Sequence, residues 1–330
     1  MNLPREATLA ITYRCNSRCV MCNIWQCDSG EELGPEEYRK LPGTLRTINV
    51  TGGEPFLRKD IEEILTVLHK VSPKCRIVIS SNGVLTDRIL GAVSQIRKIH
   101  KRIGLGISID GIGDMHDSIR GQKGTYSKAL ETVKGLKALG ITDLRLGMTI
   151  MDQNSKQLLD VYRLSQSLGV EFTTTVAHNS AIYFQKSDNA PKVTEGLSRD
   201  IRELERRHLR SLAVKNWVRA YHLEGLVDSK VRSSGRRRCA AGQDFFFMNP
   251  AGDVYPCIVL DEPMGNIKDF STFRDLYEGK RAAEVRARAA SCAKDCWMVC
   301  NIRTLFVSHP GAPILWILKN KPRAHVSRAP

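Results

Sequence analysis

The chain has 330 residues, 42% of them hydrophobic and 26% charged, which supplies a sizeable core and excludes a disordered or collagen-like polymer. Its net charge of +15 is uneven: 11 basic residues face 4 acidic ones over residues 202–238 and 10 face 2 over 279–330, whereas 239–278 holds 2 against 7. The surplus favours anionic partners such as phosphorylated small molecules, lipid headgroups or nucleic acid, without choosing among them.

No apolar run approaches the roughly 18 residues needed to span a bilayer. The start of the chain lacks the apolar stretch and cleavage site of a secreted protein, so a cytoplasmic protein is expected. In that setting 10 cysteines point to metal or redox chemistry, because a disulfide framework belongs to small secreted domains.

Residues 7–177 alternate short β-branched runs with longer helical stretches, the pattern of repeated βα units about a parallel sheet. Strands are predicted at Leu9–Thr12, Thr47–Thr51, Arg76–Ser80, Gly104–Asp110, Leu144–Ile150 and Val170–Val176, with helices near 35–41, 60–72, 86–98, 126–139 and 155–168. Glycine or polar residues follow nearly every strand, at the end of a parallel sheet or barrel where ligands gather. The expected fold is therefore α/β, with six βα units over residues 1–178.

A charged bridge over 179–238 follows, with Leu197, Ile201, Leu204 and Leu212 at roughly helical spacing. Residues 239–303 are read as a small α+β accessory domain with five cysteines, a hairpin (Phe245–Asn249, a turn over 250–253, Val254–Cys257) and one helix around 271–290. In the tail, 304–330, Ile314-Leu315-Trp316-Ile317-Leu318 precedes Lys319, Lys321 and Arg323. Such a segment suits either a membrane interface or ordinary docking onto the core.

Cys15, Cys19 and Cys22 fall directly after the first predicted strand, at the ligand-binding end of the sheet. Three thiolates from one loop can hold three irons of a four-iron cluster, whose usual complement is four cysteines. A distant fourth ligand or an iron left open to a small molecule must complete the set. Two plainer readings stand beside this one: three small hydrophobes on a helix face, or a zinc site, which closes with four ligands commonly in Cys-x2-Cys pairs. Cys27 and Cys75 are expected to be non-ligating.

The spacing Cys15-x3-Cys19-x2-Cys22 resembles the signature of the radical S-adenosylmethionine (radical SAM) enzymes. The likeness continues at later strand ends: Thr51-Gly52-Gly53-Glu54-Pro55, Ser80-Ser81-Asn82-Gly83, Ser108-Ile109-Asp110-Gly111, then Arg120-Gly121. Met21 departs from it, standing where many members have an aromatic residue. The resemblance implies a partial (βα)6 TIM-like barrel and S-adenosylmethionine held by Gly52, Gly53, Glu54, Ser80, Asn82, Ser108, Asp110 and Arg120. Glu54 would meet the methionyl amino group and Arg120 its carboxylate. The residue chemistry agrees, since hydroxyls, amides and carboxylates are the partners a ribose or a zwitterion needs, and glycine lets a backbone come close.

Cys239-x12-Gly252-x4-Cys257, followed by Cys292, Cys296 and Cys300, is similar to the accessory domains called SPASM or twitch. One auxiliary [4Fe–4S] cluster is implied, with one of the last three cysteines left over; a zinc site is the alternative. The family mechanism implied is reduction of the first cluster by flavodoxin or ferredoxin, cleavage of S-adenosylmethionine to a 5′-deoxyadenosyl radical, and removal of hydrogen from a substrate carbon. A sugar, lipid, lipid-linked or peptide substrate is open, sulfatase or peptide maturation included. With fourteen residues before Cys15, no upstream cobalamin or leader-peptide domain is expected. The ending Arg328-Ala329-Pro330 lacks the Gly-Gly of the molybdopterin-cofactor cyclases. A metal-stabilised nucleic-acid binder, suggested by Arg236-Arg237-Arg238, is disfavoured by an aromatic content of 6%, which limits stacking platforms. No general acid or base is identified; His178 is a candidate by position alone.

Overall fold

The computed structural model describes residues 2–28, 30–228, 230–231, 239–294 and 296–326. Six parallel strands lie side by side in chain order: β1 Glu6–Ala10, β2 Thr47–Thr51, β3 Arg76–Ser81, β4 Ile103–Ser108, β5 Leu144–Ile150 and β6 Glu171–Val176. Helices α1 Ile61–Val71, α2 Thr86–Ile99, α3 Asp114–Arg120, α4 Thr125–Ala138 and α5 Leu158–Ser167 occupy the crossovers. Strict sequential order of parallel strands curls a sheet toward a barrel, because every crossover turns the same way. The result is an α/β fold built on a partial (βα)6 barrel with a C-terminal domain.

Local sequence explains the elements. In α1, Ile61, Ile64, Leu65 and Leu68 are buried on one face, Glu62 and Glu63 lie in the first turn, and His69 and Lys70 lie in the last. Each end charge complements the helix dipole. In β5 burial alternates residue by residue: Leu144, Leu146, Met148 and Ile150 are buried, while Arg145, Gly147 and Thr149 stay half-exposed on the concave face. β6 and β2 show the same alternation over much of their length, so apolar side chains pack outward under the helices and do not fill the lumen.

The bridge forms α6 Glu195–Arg210 and α7 Val214–Val227. After it, β7 Phe245–Met248 pairs parallel with β1, Glu6 opposite Phe245 and Leu9 opposite Met248. β8 Asp253–Tyr255 and β9 Gly265–Asn266 add antiparallel strands beyond it. The hairpin thus extends the barrel sheet to nine strands. Its turn closes through Asn249, whose Oδ1 accepts from Asp253 N at 2.8 Å.

Several boundaries differ from expectation, β4 ending at Ser108 and not Asp110 among them. β1 ends at Ala10, while Ile11 and Thr12 go on bonding to the chain at the end of β2. The stretch 35–40 is a 3-10 helix started by Pro35. The single helix expected over 271–290 is two, α8 Phe273–Glu278 and α9 Lys280–Ala290, separated by extended backbone at Gly279. Helices α10 Val299–Ser308 and α11 Gly311–Val326 complete the chain.

The tail docks onto the core. Trp316 meets Tyr221 edge-on at 5.5 Å, Ile317 and Ala324 are buried, and Lys321 Nζ donates to Leu209 O at 2.7 Å while lying over the Trp217 ring. Leu315 and Leu318 remain 68% and 65% exposed on the opposite face. Among the described residues no helix is long and apolar enough to cross a membrane.

Candidate active site at the strand ends

The chain leaving β1 continues as a second ladder against the chain leaving β2. Ile11 N donates to Thr51 O, Gly53 N to Thr12 O at 2.8 Å, and Glu54 N to Arg14 O at 2.9 Å. This approach is what Gly52 and Gly53 permit. A Cβ at residue 52 would stand 2.1 Å from Thr12 O, and one at residue 53 would stand 2.2 Å from Arg14 O. The room those glycines leave is occupied by the segment leading into Cys15.

Glu54 is fully buried, and both its oxygens are engaged within the protein. Oε1 accepts from Ser81 Oγ at 2.9 Å and from Phe56 N, and Oε2 accepts from Asn82 N at 2.8 Å. Burial pushes its carboxyl up to about 7 against those hydrogen bonds. Its side chain braces the end of β2 to the end of β3. Asn82 extends the brace, Nδ2 donating to Asn16 Oδ1 at 2.6 Å and to Ser17 Oγ at 3.1 Å inside the cysteine loop. Ser80 Oγ donates to Asn49 Oδ1 at 3.1 Å across the same two strands. Ser108 is half-exposed at the end of β4.

The other side of the loop is held by α3. Arg18 N donates to Arg120 O and Val20 N to Ile119 O, and a Cβ on Gly121 would lie 2.5 Å from Arg18 O. Arg120 Nη2 stands 2.5 Å from Asp110 Oδ2, and its Nη1 reaches Cys19 Sγ at 3.5 Å. Asp110 Oδ1 accepts from Thr149 N at 2.8 Å. Arg120 and Asp110 therefore join the ends of β4 and β5 to the thiol of Cys19.

A strap over residues 178–190, which no sequence signal marked, covers the loop from outside. Tyr13 Oη donates to Ile182 O, Asn23 N to Phe184 O, and Asn189 Nδ2 to Met21 O. Ser180 Oγ donates to Ile258 O, next to Cys257. Tyr183 meets Thr51 Oγ1 at 3.0 Å and the Phe247 ring edge-on. Burial pushes His178 down to about 4, so its imidazole is neutral at pH 7.

One feature shared by two of the thiols fits iron. Backbone N–H groups two residues ahead donate to them, Ser17 N to Cys15 Sγ and Val259 N to Cys257 Sγ, each at 3.4 Å, while the N–H groups of Ile24 and Ala241 act on Cys22 and Cys239 electrostatically. Leu260 N adds a second bond to Cys257 at 3.2 Å. Such bonds stabilise a thiolate and tune cluster sulfur. Cys27 does the reverse, donating toward Asn23 O. Burial pushes Cys15 and Cys22 up to about 12 and Cys239 up to about 11; ionised at neutral pH, these sulfurs need a bound cation.

Cys239, Cys257 and Cys292 lie close enough for each of the first two to feel the third electrostatically. The side chain of Cys300 lies outside the described residues, as does the Arg236-Arg237-Arg238 run. β8 runs antiparallel to β7, so Cys257, just past its end, returns toward the start of β7, which Cys239 precedes.

Residues 9–165 match the model of the radical SAM superfamily, and residues 239–301 match that of the SPASM iron–sulfur cluster-binding domain. The antilisterial bacteriocin subtilosin biosynthesis protein AlbA of Bacillus subtilis is 26% identical over 84% of this chain and 59% of its own length. This chain thus spans about three-fifths of that relative. An AdoMet-dependent heme synthase of Oleidesulfovibrio alaskensis is 26% identical over 78% of this chain and 71% of its own. The fold of Streptococcus suis SuiB bound to precursor peptide SuiA is similar at a TM-score of 0.64, with 14% identity over 87% of this chain and 67% of SuiB. The chain carries a radical SAM domain and a SPASM domain. With those domains come a [4Fe–4S] cluster and S-adenosylmethionine for the barrel and iron–sulfur binding for the C-terminal domain; the nucleic-acid-binding alternative is not favoured.

Proposed function

We propose that the chain is a radical SAM oxidoreductase that modifies a peptide, with Cys15, Cys19 and Cys22 holding the cluster that binds S-adenosylmethionine. The observation that carries the iron assignment is the N–H to Sγ bond two residues ahead, made to Cys15 in the first cysteine group and to Cys257 in the second and reversed at Cys27. When bound, the cluster and cofactor supply one-electron reductive cleavage to methionine and a 5′-deoxyadenosyl radical that takes hydrogen from carbon. Gly52, Gly53, Glu54, Ser80, Asn82, Ser108, Asp110 and Arg120 would hold the cofactor. Arg120 offers its guanidinium beside Cys19, and Glu54 and Asn82 fix the loop. The strap over 178–190 keeps water from the loop's outer side. A flavodoxin or ferredoxin supplies the electron.

The peptide reading is supported by the SuiB complex with a precursor peptide and by the bacteriocin-biosynthesis relative; the heme synthase relative makes a tetrapyrrole the competing substrate. Reconstituted, reduced protein given S-adenosylmethionine is expected to release 5′-deoxyadenosine about tenfold faster with a matching member of a peptide library than alone, since binding energy aligns the reacting atoms. Stimulation by a porphyrin or a nucleotide sugar, with none by peptides, would overturn the substrate class and keep the chemistry.

For the SPASM part, one auxiliary [4Fe–4S] cluster is proposed on Cys239, Cys257 and Cys292, with the fourth ligand from Cys296 or Cys300. Cys292→Ser is expected to lose about four irons per chain, as Cys239→Ser does, while slow cleavage at the first cluster persists. Iron content unchanged in Cys292→Ser would remove that residue from the set.

Leu315 and Leu318, flanked by Lys319 on an acid-free helix, support peripheral contact with anionic membrane. Leu315→Asp/Leu318→Asp protein should stay out of anionic vesicles that float the parent chain. Trp316 is the poorer probe, because it packs on Tyr221.

A further inference from the structure

The lumen of the partial barrel has a floor that the cofactor chemistry does not use. On the concave face stand Glu6 of β1, Arg76 of β3, Arg145 of β5 and Glu171 of β6, all at the N-terminal ends of their strands. Lys215 and Arg219 of α7 and Arg303 of α10 close in from below. Three acids are already matched: Asp143 takes Arg76 at 2.7 Å, Glu6 takes Arg303 at 2.8 Å, and Glu171 takes both Lys215 and Arg219. Asp244, which also bears on Glu6, accepts from Ser308 Oγ at 2.9 Å.

Arg145 is the exception. Its guanidinium forms no hydrogen bond and no ion pair among the described residues, although Arg76, Arg219, Arg303 and Asp143 all act on it electrostatically. It lies across Gly106, where a Cβ would be 3.2 Å from its Nε. Gly147 leaves the rung above without a side chain, whereas the space at Gly104 below is filled by the Asp143 carboxylate that pairs with Arg76. Burial, with Arg76 next, pushes it down to about 10, as burial also does to the ion-paired Arg219 beside it.

We propose that Arg145 is an oxyanion-binding residue at the lumen floor, which receives a carboxylate or phosphate of the substrate and so sets how deep the substrate reaches toward the radical. An arginine fork presents paired donors matched to such an oxyanion. From Arg145 to Ile150, at the level of the cofactor loops, β5 rises about 16 Å at about 3.3 Å per residue. The anionic group would therefore sit well away from the carbon that loses hydrogen. This inference rests on the proposed reading of the chain as an enzyme that modifies a peptide, whose substrate would enter the lumen, and it is tested without turnover.

Isothermal titration of the reconstituted full chain with S-adenosylmethionine and no reductant, using glutarate in one arm and inorganic phosphate in the other, should show saturable binding in at least one arm. The tighter arm identifies the oxyanion. Arg145→Gln should weaken that binding at least tenfold, and Arg163→Gln, an exposed arginine on α5, should leave it unchanged. Thr173→Glu places a carboxylate one rung above Glu171, next to Gly147 and on the face of Arg145. It should block the site with Arg145 intact, so the test stands even if Arg145→Gln fails to fold. No binding in either arm, or parent-like binding in Arg145→Gln or in Thr173→Glu, would overturn the proposal; absence of 5′-deoxyadenosine release by the reduced parent protein, measured separately, would instead tell against the enzyme reading.

Discussion

Replacing Cys15, Cys19 and Cys22 together by alanine is expected to abolish 5′-deoxyadenosine release, a fall of about a thousandfold or more, because the reactive chemistry belongs to the bound cofactors and not to any side chain. The structure adds reasons why the loss should be confined to that site. The three thiols are half-buried on a loop fixed by other atoms: Asn82 holds Asn16 and Ser17, Arg120 O and Ile119 O hold Arg18 and Val20, and the Asn189 amide holds Met21. None of those bonds uses a thiol. Removing three sulfurs that burial already disfavours as thiolates should leave the unloaded protein's melting point nearly unchanged. Iron should drop by about four per chain, with the SPASM-domain iron retained. Release that persists in the triple variant would move the reaction away from this loop.

What the sequence made legible was what chemistry fixes by residue type and spacing. Cysteines at 15, 19 and 22, the Cys239–Gly252–Cys257 hairpin and the polar strand ends all follow from that, and six parallel strands follow from β-branched runs set between amphipathic helices. What stayed hidden was set by partners distant in sequence. The stretch 114–120 has no apolar period and begins at Gly113, with φ of +57°; it is helical because its far end must meet Arg18 and Val20. The pairing of β7 with β1 joins segments more than 200 residues apart, so no local pattern announces it. Ile11 and Thr12 read as strand because they are β-branched, and they do extend the β1–β2 ladder by hydrogen bonds to Thr51 and Gly53 beyond the last regular pair. Arg145 carries no local signal, because only the pairing of β5 with β4 and β6 brings Gly106 and Thr173 to its face.

The glycines of the Thr51–Pro55 segment permit the sharpest separation between ligand contact and chain packing. Gly53→Ala would place a methyl 2.2 Å from Arg14 O, 2.6 Å from Arg14 C and 2.7 Å from Tyr13 O, all backbone atoms that cannot rotate aside. To restore ordinary contact the segment entering Cys15 must retreat by about 1 Å, which breaks the bonds from Gly53 N to Thr12 O and from Glu54 N to Arg14 O. A shift of that size at a reacting centre costs about a hundredfold in rate, and the overpacking should cost about 1–3 kcal/mol in stability. Gly91→Ala serves as the contrast: it sits within α2 with open space where its Cβ would go, and it should stabilise the protein by about 0.5–1 kcal/mol. Thermal melts, iron content and 5′-deoxyadenosine release measured on both variants separate the cases. If Gly53→Ala kept parent-like stability, iron and turnover, the close approach of the two strand exits would not be what positions Cys15. If it lost turnover but kept both stability and iron, the glycine would be needed for contact with the cofactor and not for packing of the loop.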